Sequence, residues 1–214
     1  MVKQHFSHVR HWVFDLDNTL YPPAARLFDQ IERKMTDVVM RVTGADKAEA
    51  NTLRKRWWMD HGTTLAGLMA NHQLDPDAYL TEVHDISFDV LEADPHLAEL
   101  ISNLPGRKIV YTNGSAPYAA RVLEARGLEA AFDAIYGVEH ANYRPKPEPQ
   151  AFETVFALSG TDAATAAMFE DDPRNLAAPH AMGMRTVHVA PERGEGAHIQ
   201  HHTNDLTAFL ARLS

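Results

Sequence analysis

The stretch VFDLDNTLYPP (residues 13–23) joins an apolar run to two carboxylates and then to a pair of prolines. Residues 9–14 are predicted to form a short buried strand, and Asp15 and Asp17 follow at its end. Two carboxylates beside an apolar run repel each other and lose hydration, so their clustering costs stability. This arrangement predicts that a cation or a chemical role at the end of the strand offsets that cost.

Beyond residue 95 the chain alternates between predicted strands and predicted helices. The strands are RKIVYTN (107–113), FDAIYGV (132–138), AAMFEDD (166–172) and MRTVHVA (184–190), with helical segments between them. Repeated strand–helix units with short joints predict a parallel sheet with helices on both faces. The predicted fold class is therefore α/β, with a Rossmann-like parallel sheet core.

A helical segment interrupts this pattern after the first strand. Apolar residues recur at helical spacing from Leu27 to Val42, and further helices are predicted at 46–62 and 75–88. Prolines mark both crossings, at Pro22-Pro23 and at Pro95. We therefore predict an all-helical cap domain at residues 22–93, inserted into an α/β core made of residues 1–21 and 94–214.

The composition narrows the classes of partner. The 214 residues include 20 basic and 29 acidic side chains, for a formal net charge of −9, and contain no cysteine. This balance disfavours binding to nucleic acid or to an anionic membrane, and the lack of cysteine excludes thiolate chemistry. No apolar run has the length of a membrane span or a signal peptide, so we expect a cytoplasmic protein that acts on a small molecule.

Polar side chains follow four of the predicted strands, at the sheet edge where open parallel sheets bind ligands. A lone Asp-x-Asp could belong to an ordinary turn, but the other strand ends supply a hydroxyl, a cation and further carboxylates. The expected cluster consists of Asp15, Asp17, Thr112, Asn113, Lys146 and Asp171.

Magnesium would explain why these carboxylates are placed together. Mg²⁺ binds carboxylate oxygens together with substrate phosphate, and we predict Asp15 and Asp171 as its ligands. The second oxygen of Asp15 could then attack phosphorus, while Asp17 could protonate the leaving alkoxide. Asp172 is expected to support the metal waters or Lys146, and Asn175 to orient the loop.

Two further segments suit the phosphate group. Thr112 and the backbone around Asn113 precede a helix, although the same residues resemble an ordinary N-cap. Lys146 lies between two prolines, in an extended segment that presents its ammonium group rigidly; the alternative is a solvated proline-rich loop. Glu170 is given no role and is expected to face solvent. Neither histidine group (5, 8 and 11; 198, 201 and 202) has zinc-site spacing with a Glu, so surface histidines are predicted.

Four segments, in their order along the chain, resemble the four motifs of the haloacid dehalogenase-like hydrolases: FDLDNTL, IVYTNGS, RPKPEP and FEDDPRNL. The resemblance implies that Asp15 is a nucleophile and Asp17 an acid/base whose main-chain carbonyl also binds Mg²⁺. It places phosphate on Thr112, Asn113 and Lys146, and completes the metal site with Asp171. One departure is that Glu170 stands where the family usually has glycine.

The segments DHGTTLAGL, VHDISFDVLEADPHL and ANYRPKPEPQAF are similar to the pyrimidine 5′-nucleotidase branch of this superfamily. In the cap, Trp57 or Trp58 could stack on a base, with His61, Thr63 and Thr64 beside it. The alternative is that both tryptophans pack within the cap. Adjacent helical residues point about 100° apart, so at most one of the two is expected to face a ligand.

The leading hypothesis is a Mg²⁺-dependent phosphomonoesterase that forms an aspartyl-phosphate at Asp15 and acts on nucleoside 5′-monophosphates, with pyrimidines preferred. One alternative is a phosphatase or mutase for a sugar phosphate or phosphoglycolate. Another is a haloacid dehalogenase, which needs no metal and has little use for Asp17. A third is a non-catalytic module that binds phosphate.

Overall fold

The computed structural model describes residues 2–213 and confirms the α/β prediction. Six strands form one sheet in the order β3-β2-β1-β4-β5-β6, and every neighbouring pair is parallel. The strands are β1 His11–Phe14, β2 Arg107–Tyr111, β3 Ala134–Tyr136, β4 Ala166–Glu170, β5 Arg185–Val189 and β6 His201–Thr203. The strand β1, which leads into Asp15, therefore lies in the middle of the sheet, between β2 and β4.

Successive strand residues point to opposite faces of the sheet, and apolar side chains leave both faces. Helices therefore pack on both faces and bury them. Val13 packs in one hydrophobic cluster and Phe14 in the other, and Met168 and Phe169 divide in the same way. Outside residues 22–93 the α-helices are α1 Val2–His5, α6 Pro95–Ser102, α7 Ala116–Arg126, α8 Pro149–Ser159, α9 Ala177–Ala181 and α10 Leu206–Leu210. Among residues 2–213, no helix combines the length and the apolar character that crossing a membrane requires.

The connection from β1 to β2 contains five α-helices, and we call the first four of them, which precede α6, the helical insert. They are α2 Phe28–Thr43, α3 Lys47–His61, α4 Thr64–Asn71 and α5 Pro76–Val83. Asp46, Thr63 and Asp75 cap three of these helices by accepting backbone N–H groups. The insert is therefore helical, as predicted.

Several element boundaries differ from the sequence prediction. The helix predicted over 75–88 ends at Val83, and residues 173–176 form a 3-10 turn before α9. The helix α4 was not predicted, nor was the edge strand β6, which carries His201 and His202. Three residues are too few for strand periodicity to be visible, and the His201 ring packs beside Phe6 and Phe209.

One buried arginine, Arg126 at the end of α7, ties down both crossings between the core and the helical insert. Its Nε donates to the carbonyl of Leu20 on the outgoing segment, at 3.1 Å. Its other two nitrogens donate to the carbonyl of Glu92 and to the carboxylate of Asp94 on the returning segment. Because Arg126 is only 8% exposed, these acceptors would be left poorly hydrated without it.

We therefore expect Arg126→Met to lower the free energy of unfolding by about 2–4 kcal/mol, since it leaves three acceptors without their donor. Urea denaturation followed by circular dichroism measures this change. The control is Arg107→Met, at an exposed position on the first residue of β2, which should change stability by no more than about 0.5 kcal/mol. Equal effects of the two substitutions would contradict this role for Arg126.

Candidate active site

The end of β1 places Asp15 in the interior of the molecule, at 5% exposure. Its backbone N–H donates to the carbonyl of Phe169 on β4, which continues the sheet pairing by one residue. One carboxylate oxygen accepts from Lys146 Nζ at 2.7 Å, and the other accepts from the Thr19 hydroxyl at 3.1 Å. Burial raises the pKa of Asp15 to about 7, with a further contribution from the negative charge of Glu170.

Lys146 is the cation at the centre of the site and is 1% exposed. Its ammonium group donates to Asp15 at 2.7 Å, to Glu170 at 2.6 Å and to the carbonyl of Tyr111 at 3.2 Å. Burial lowers the pKa of Lys146, but the two carboxylates outweigh burial and raise it above its ordinary value. The expectation that Glu170 faces solvent is wrong: it is 1% exposed, because it is the second counter-charge of this lysine.

The loop that carries Lys146 is held by Asn113. The Asn113 side chain accepts from the Lys146 N–H at 2.8 Å and donates to the Lys146 carbonyl at 3.1 Å. Thr112 lies alongside, and its hydroxyl oxygen accepts from the Gly114 N–H at 2.9 Å, which leaves the hydroxyl hydrogen free to donate. Asn113 therefore fixes Lys146 with its side chain, and Thr112 keeps a donor for a ligand.

Asp17 is held in a different way. The hydroxyls of Tyr21 and Tyr118 both donate to the same carboxylate oxygen, each at 2.6 Å. Burial raises the pKa of Asp17 to about 6, the charge of Asp15 adds to that rise, and the two tyrosine hydrogen bonds oppose it. Sequence reasoning missed both tyrosines, although Tyr21 stands within the quoted stretch, four residues after Asp17.

His84 follows α5 and connects the helical insert to this part of the core. Its ring stacks on Tyr118, with 4.1 Å between ring centroids, and its Nδ1 lies 3.1 Å from the Ser115 hydroxyl. Burial lowers the pKa of His84 to about 4. A neutral imidazole therefore supports the tyrosine that holds Asp17.

Asp171 joins Asp15 and Glu170 in an acidic cluster, in which one carboxylate oxygen from each residue lies within 4.8 Å of the other two. Burial raises the pKa of Asp171 well above its ordinary value, and the charges of Glu170 and Asp15 raise it further. A divalent cation would relieve this repulsion. Both carboxylate oxygens of Glu170 accept hydrogen bonds, from Lys146 and from the Asp172 N–H, whereas the second oxygen of Asp15 accepts, within residues 2–213, only from the Thr19 hydroxyl. The residues that fit a hard cation are therefore Asp15 and Asp171.

Asp172 and Asn175 lie in the turn that follows β4. The Asp172 carboxylate caps the N–H of Arg174 and pairs with the guanidinium of the same residue at 2.7 Å, not with Lys146 as one prediction had it. Asn175 is 6% exposed and lines a cavity between the core and the helical insert. Its side-chain carbonyl oxygen has no hydrogen-bond partner within residues 2–213. Arg174 therefore takes the role of counter-charge for Asp172.

A cavity of about 590 Å³ lies between these residues and the helical insert. Thr63 and Thr64 line it, whereas Trp57 and His61 do not. Trp57 is 3% exposed and packs directly against Gly67, so its assignment to the ligand is wrong. The tryptophan that borders the cavity is Trp58, because adjacent helical side chains diverge by about 100°.

The guanidinium of Arg174 lies over the Trp58 ring, 3.5 Å from its centroid, and Arg174 Nη1 donates to the Trp58 carbonyl at 3.3 Å. Gly62, also in the insert, approaches the core so closely that a Cβ there would come within 2.9 Å of the Lys146 carbonyl oxygen. The helical insert thus contacts both the loop of Lys146 and the turn after Asp171.

Known proteins match this chain in sequence and in fold. A family model for haloacid dehalogenase-like hydrolases matches residues 9–183. Phosphate metabolism protein 8 of Saccharomyces cerevisiae is 30% identical over 193 residues, which cover 81% of this chain. This chain spans 59% of the length of that yeast protein.

Solved structures share the fold at low sequence identity. CbbY from Rhodobacter sphaeroides, in complex with phosphate, has a TM-score of 0.66 at 15% identity, over 93% of this chain and 95% of that one. The HAD-hydrolase YfnB from Bacillus subtilis, bound to magnesium, has a TM-score of 0.61 at 17% identity, over 96% and 98%. Dehalogenases also share the fold, at TM-scores of 0.57 and 0.56, so the fold leaves the reaction open.

The stability of the folded chain should depend on pH through His84. Its pKa of about 4 in the folded state lies below the ordinary 6.5, so the unfolded chain binds more protons between these values. The stabilisation is therefore complete above the ordinary pKa and is lost as the pH falls toward 4. Between about pH 7.5 and about pH 5.5, the free energy of unfolding should fall by about 1 kcal/mol more in the wild type than in His84→Gln. The measurement is chemical denaturation of both proteins at a series of pH values. If the free energy of unfolding changes with pH equally in the wild type and in His84→Gln, this prediction is wrong.

Proposed function

The chain belongs to the haloacid dehalogenase-like hydrolases, and from that premise we propose that it is a magnesium-dependent phosphatase for nucleoside 5′-monophosphates, with pyrimidines preferred. The observation that carries the proposal is the contrast between two carboxylates of one strand end. Asp15 is held by a buried cation beside Asp171, whereas Asp17 is held by two tyrosine hydroxyls. This difference in placement suits a nucleophile beside the charges that hold the phosphate, and an acid/base off the metal site.

In the first step Asp15 attacks phosphorus and forms an aspartyl-phosphate, while the bond from phosphorus to the leaving oxygen breaks. Asp17 gives its proton to that oxygen, so the leaving group departs as an alcohol. In the second step Asp17 takes a proton from water, the water oxygen attacks phosphorus, and the bond to Asp15 breaks. A pKa of Asp17 raised to about 6 by burial allows it to hold a proton and to release it near neutral pH.

Positive charge and donors for the phosphate come from the chain and from the metal. Lys146 is fixed by its hydrogen bonds to Asp15 and Glu170, so its charge is placed before substrate arrives. The free hydroxyl hydrogen of Thr112 can donate to a phosphate oxygen. Magnesium on Asp15 and Asp171, with the main-chain carbonyl of Asp17, would neutralise charge on the phosphate.

The dehalogenase alternative fits these residues less well. A dehalogenase needs neither a metal nor an acid/base, so the two tyrosines on Asp17 and the acidic cluster would have no use in that reaction. The yeast relative is named for phosphate metabolism, and CbbY was solved with phosphate bound. These names support a phosphate ester as substrate.

The leaving group would occupy the cavity under the helical insert. In this proposal residues 22–93 are a cap domain, residues 1–21 and 94–214 are the catalytic core, and substrate enters between them. Arg174 on Trp58 and Gly62 on the Lys146 loop are the contacts that hold the cap in the arrangement described. Trp58, Thr63 and Thr64 line the cavity from the cap side.

Asp15→Asn should lower phosphate release by about 10³-fold or more, because the amide is a poor nucleophile and cannot form the acyl phosphate. Release of inorganic phosphate from uridine 5′-monophosphate measures this, and circular dichroism checks that the fold is kept. The exposed Asp37→Asn is the matched control and should retain full turnover. Substantial turnover by Asp15→Asn would rule out this nucleophile.

Chelation by EDTA should abolish phosphate release, and added Mg²⁺ should restore it. Asp171→Asn should raise the Mg²⁺ concentration for half-maximal rate by at least about 10-fold, since it removes a ligand charge. The exposed Asp60→Asn on α3 should leave this requirement unchanged. Full turnover of a 2-haloacid in EDTA, without phosphatase activity, would favour a dehalogenase instead.

A further inference from the structure

The cavity extends from the catalytic residues into the helical insert along two helices. His84, which directly follows α5, contacts the core at Ser115, and Tyr79 lies five residues earlier, on α5 itself. On α2, Phe28 and Met35 are seven residues apart, or about 10 Å. The cavity residues of these two helices are Phe28, Ile31, Glu32, Met35, Tyr79, Leu80 and Val83.

Most of these cavity residues are apolar. Three polar residues lie among them or beside them, and we call this group the polar end: Glu32, Arg54 and Tyr79. Arg54 Nη2 donates to one carboxylate oxygen of Glu32 at 3.0 Å. Arg54 Nη1 donates to the side chains of Thr36 and Asn51, at 2.8 and 3.1 Å. The charge of Arg54 also acts on Tyr79, opposing the rise in pKa that burial causes there. All three side chains line the same cavity.

Two donors of the polar end have no partner within residues 2–213. Arg54 Nε and the Tyr79 hydroxyl are shielded from solvent and make no hydrogen bond. Tyr79 is 3% exposed, and the Arg54 side chain is 11% exposed. Buried polar groups are normally paired, so unpaired donors in a cavity wall suggest a ligand that supplies the missing acceptor. The second oxygen of Glu32 remains available to accept a hydrogen bond.

We infer that the polar end binds the leaving group of the substrate, and that this group is a planar ring whose edge carries a carbonyl oxygen beside an N–H, as in an oxopyrimidine base. This inference rests on the proposed function and adds the residues that select the substrate. A carbonyl oxygen can accept from Tyr79 and Arg54, while the adjacent N–H can donate to Glu32. The ring faces would pack on the apolar side chains of Ile31, Leu80 and Val83.

A bare sugar phosphate fits this wall less well. Its ring is surrounded by hydroxyl groups, and several of them would lose hydration against the apolar side chains of α2 and α5. A flat ring with polar atoms only on its edge satisfies the donors at the polar end and leaves its faces for the apolar wall. The polar end therefore favours a nucleobase over a sugar as the part of the substrate that is recognised.

Tyr79→Phe tests the inference with little risk to the fold, because the hydroxyl that it removes has no hydrogen bond in the protein. Steady-state phosphate release is measured with uridine 5′-monophosphate, ribose 5-phosphate and phenyl phosphate. For Tyr79→Phe, kcat/KM for uridine 5′-monophosphate should fall about 10-fold, mainly through KM. The other two substrates should change less than about 2-fold. The matched control is Tyr136→Phe on β3, outside the cavity, which should change none of them.

Arg54→Lys provides the second test, because lysine keeps the charge beside Glu32 and removes the Nε donor. It should also lose kcat/KM selectively for uridine 5′-monophosphate. Its control is Arg41→Lys, in the exposed ion pair with Glu82 that joins α2 to α5 away from the cavity. Arg41→Lys should keep the wild-type preference among the three substrates.

Two results would overturn the inference while the phosphatase proposal stands. One is an equal loss of kcat/KM for all three substrates in Tyr79→Phe, which would indicate a structural role. The other is an unchanged preference in both Tyr79→Phe and Arg54→Lys. If the wild-type enzyme releases phosphate from none of the three esters, the proposed function and the inference fall together.

Discussion

The structure depends on one buried lysine that is shared by two carboxylates. Lys146 comes from the loop after β3, Asp15 from the end of β1 and Glu170 from the end of β4, and all three are almost fully buried. Removing one member of such a group leaves an uncompensated charge in the interior, so the three segments hold one another in place. The cluster gains no stability over an apolar core of similar volume. Its advantage is that a cation and a carboxylate are fixed where the sheet opens toward the cavity.

The surroundings of the two aspartates then separate their chemistry. They are two residues apart in the chain, yet Asp15 faces a cation and Asp17 faces two neutral hydroxyl donors. At Asp15 the cation opposes the rise in pKa that burial and Glu170 cause, and at Asp17 the two hydroxyls oppose the rise that burial and Asp15 cause. In the proposed reaction the same residue type therefore serves as a nucleophile at one position and as an acid/base two residues later, through its neighbours.

The sequence was enough to predict which strand ends meet, because parallel strands bring their carboxyl ends to one edge of the sheet. It could not predict that Glu170 turns inward, since three successive acidic residues look alike until a buried lysine selects one of them. Tyr118 could not be found from the sequence because it meets Asp17 across a separation of 101 residues. Tyr21 lies only four residues after Asp17, but its hydrogen bond depends on how the chain turns after β1, which the sequence pattern does not give. The choice between Trp57 and Trp58 depends on how α3 packs against Gly67, which periodicity does not encode.

In the proposed function, the chemistry and the selection of the substrate lie on different parts of the chain. One end of the cavity is lined by loops that follow strands of the sheet, where we propose that phosphate binds, and the far wall is lined by residues of α2 and α5. Substitutions in the far wall can change which leaving group fits without moving Asp15 or Lys146, because those two are held by contacts within the core. A scaffold with this division can acquire new substrates by changes in the helical insert while the reacting groups stay fixed. The exposed contacts of Arg174 and Trp58 are then where the two parts must remain compatible.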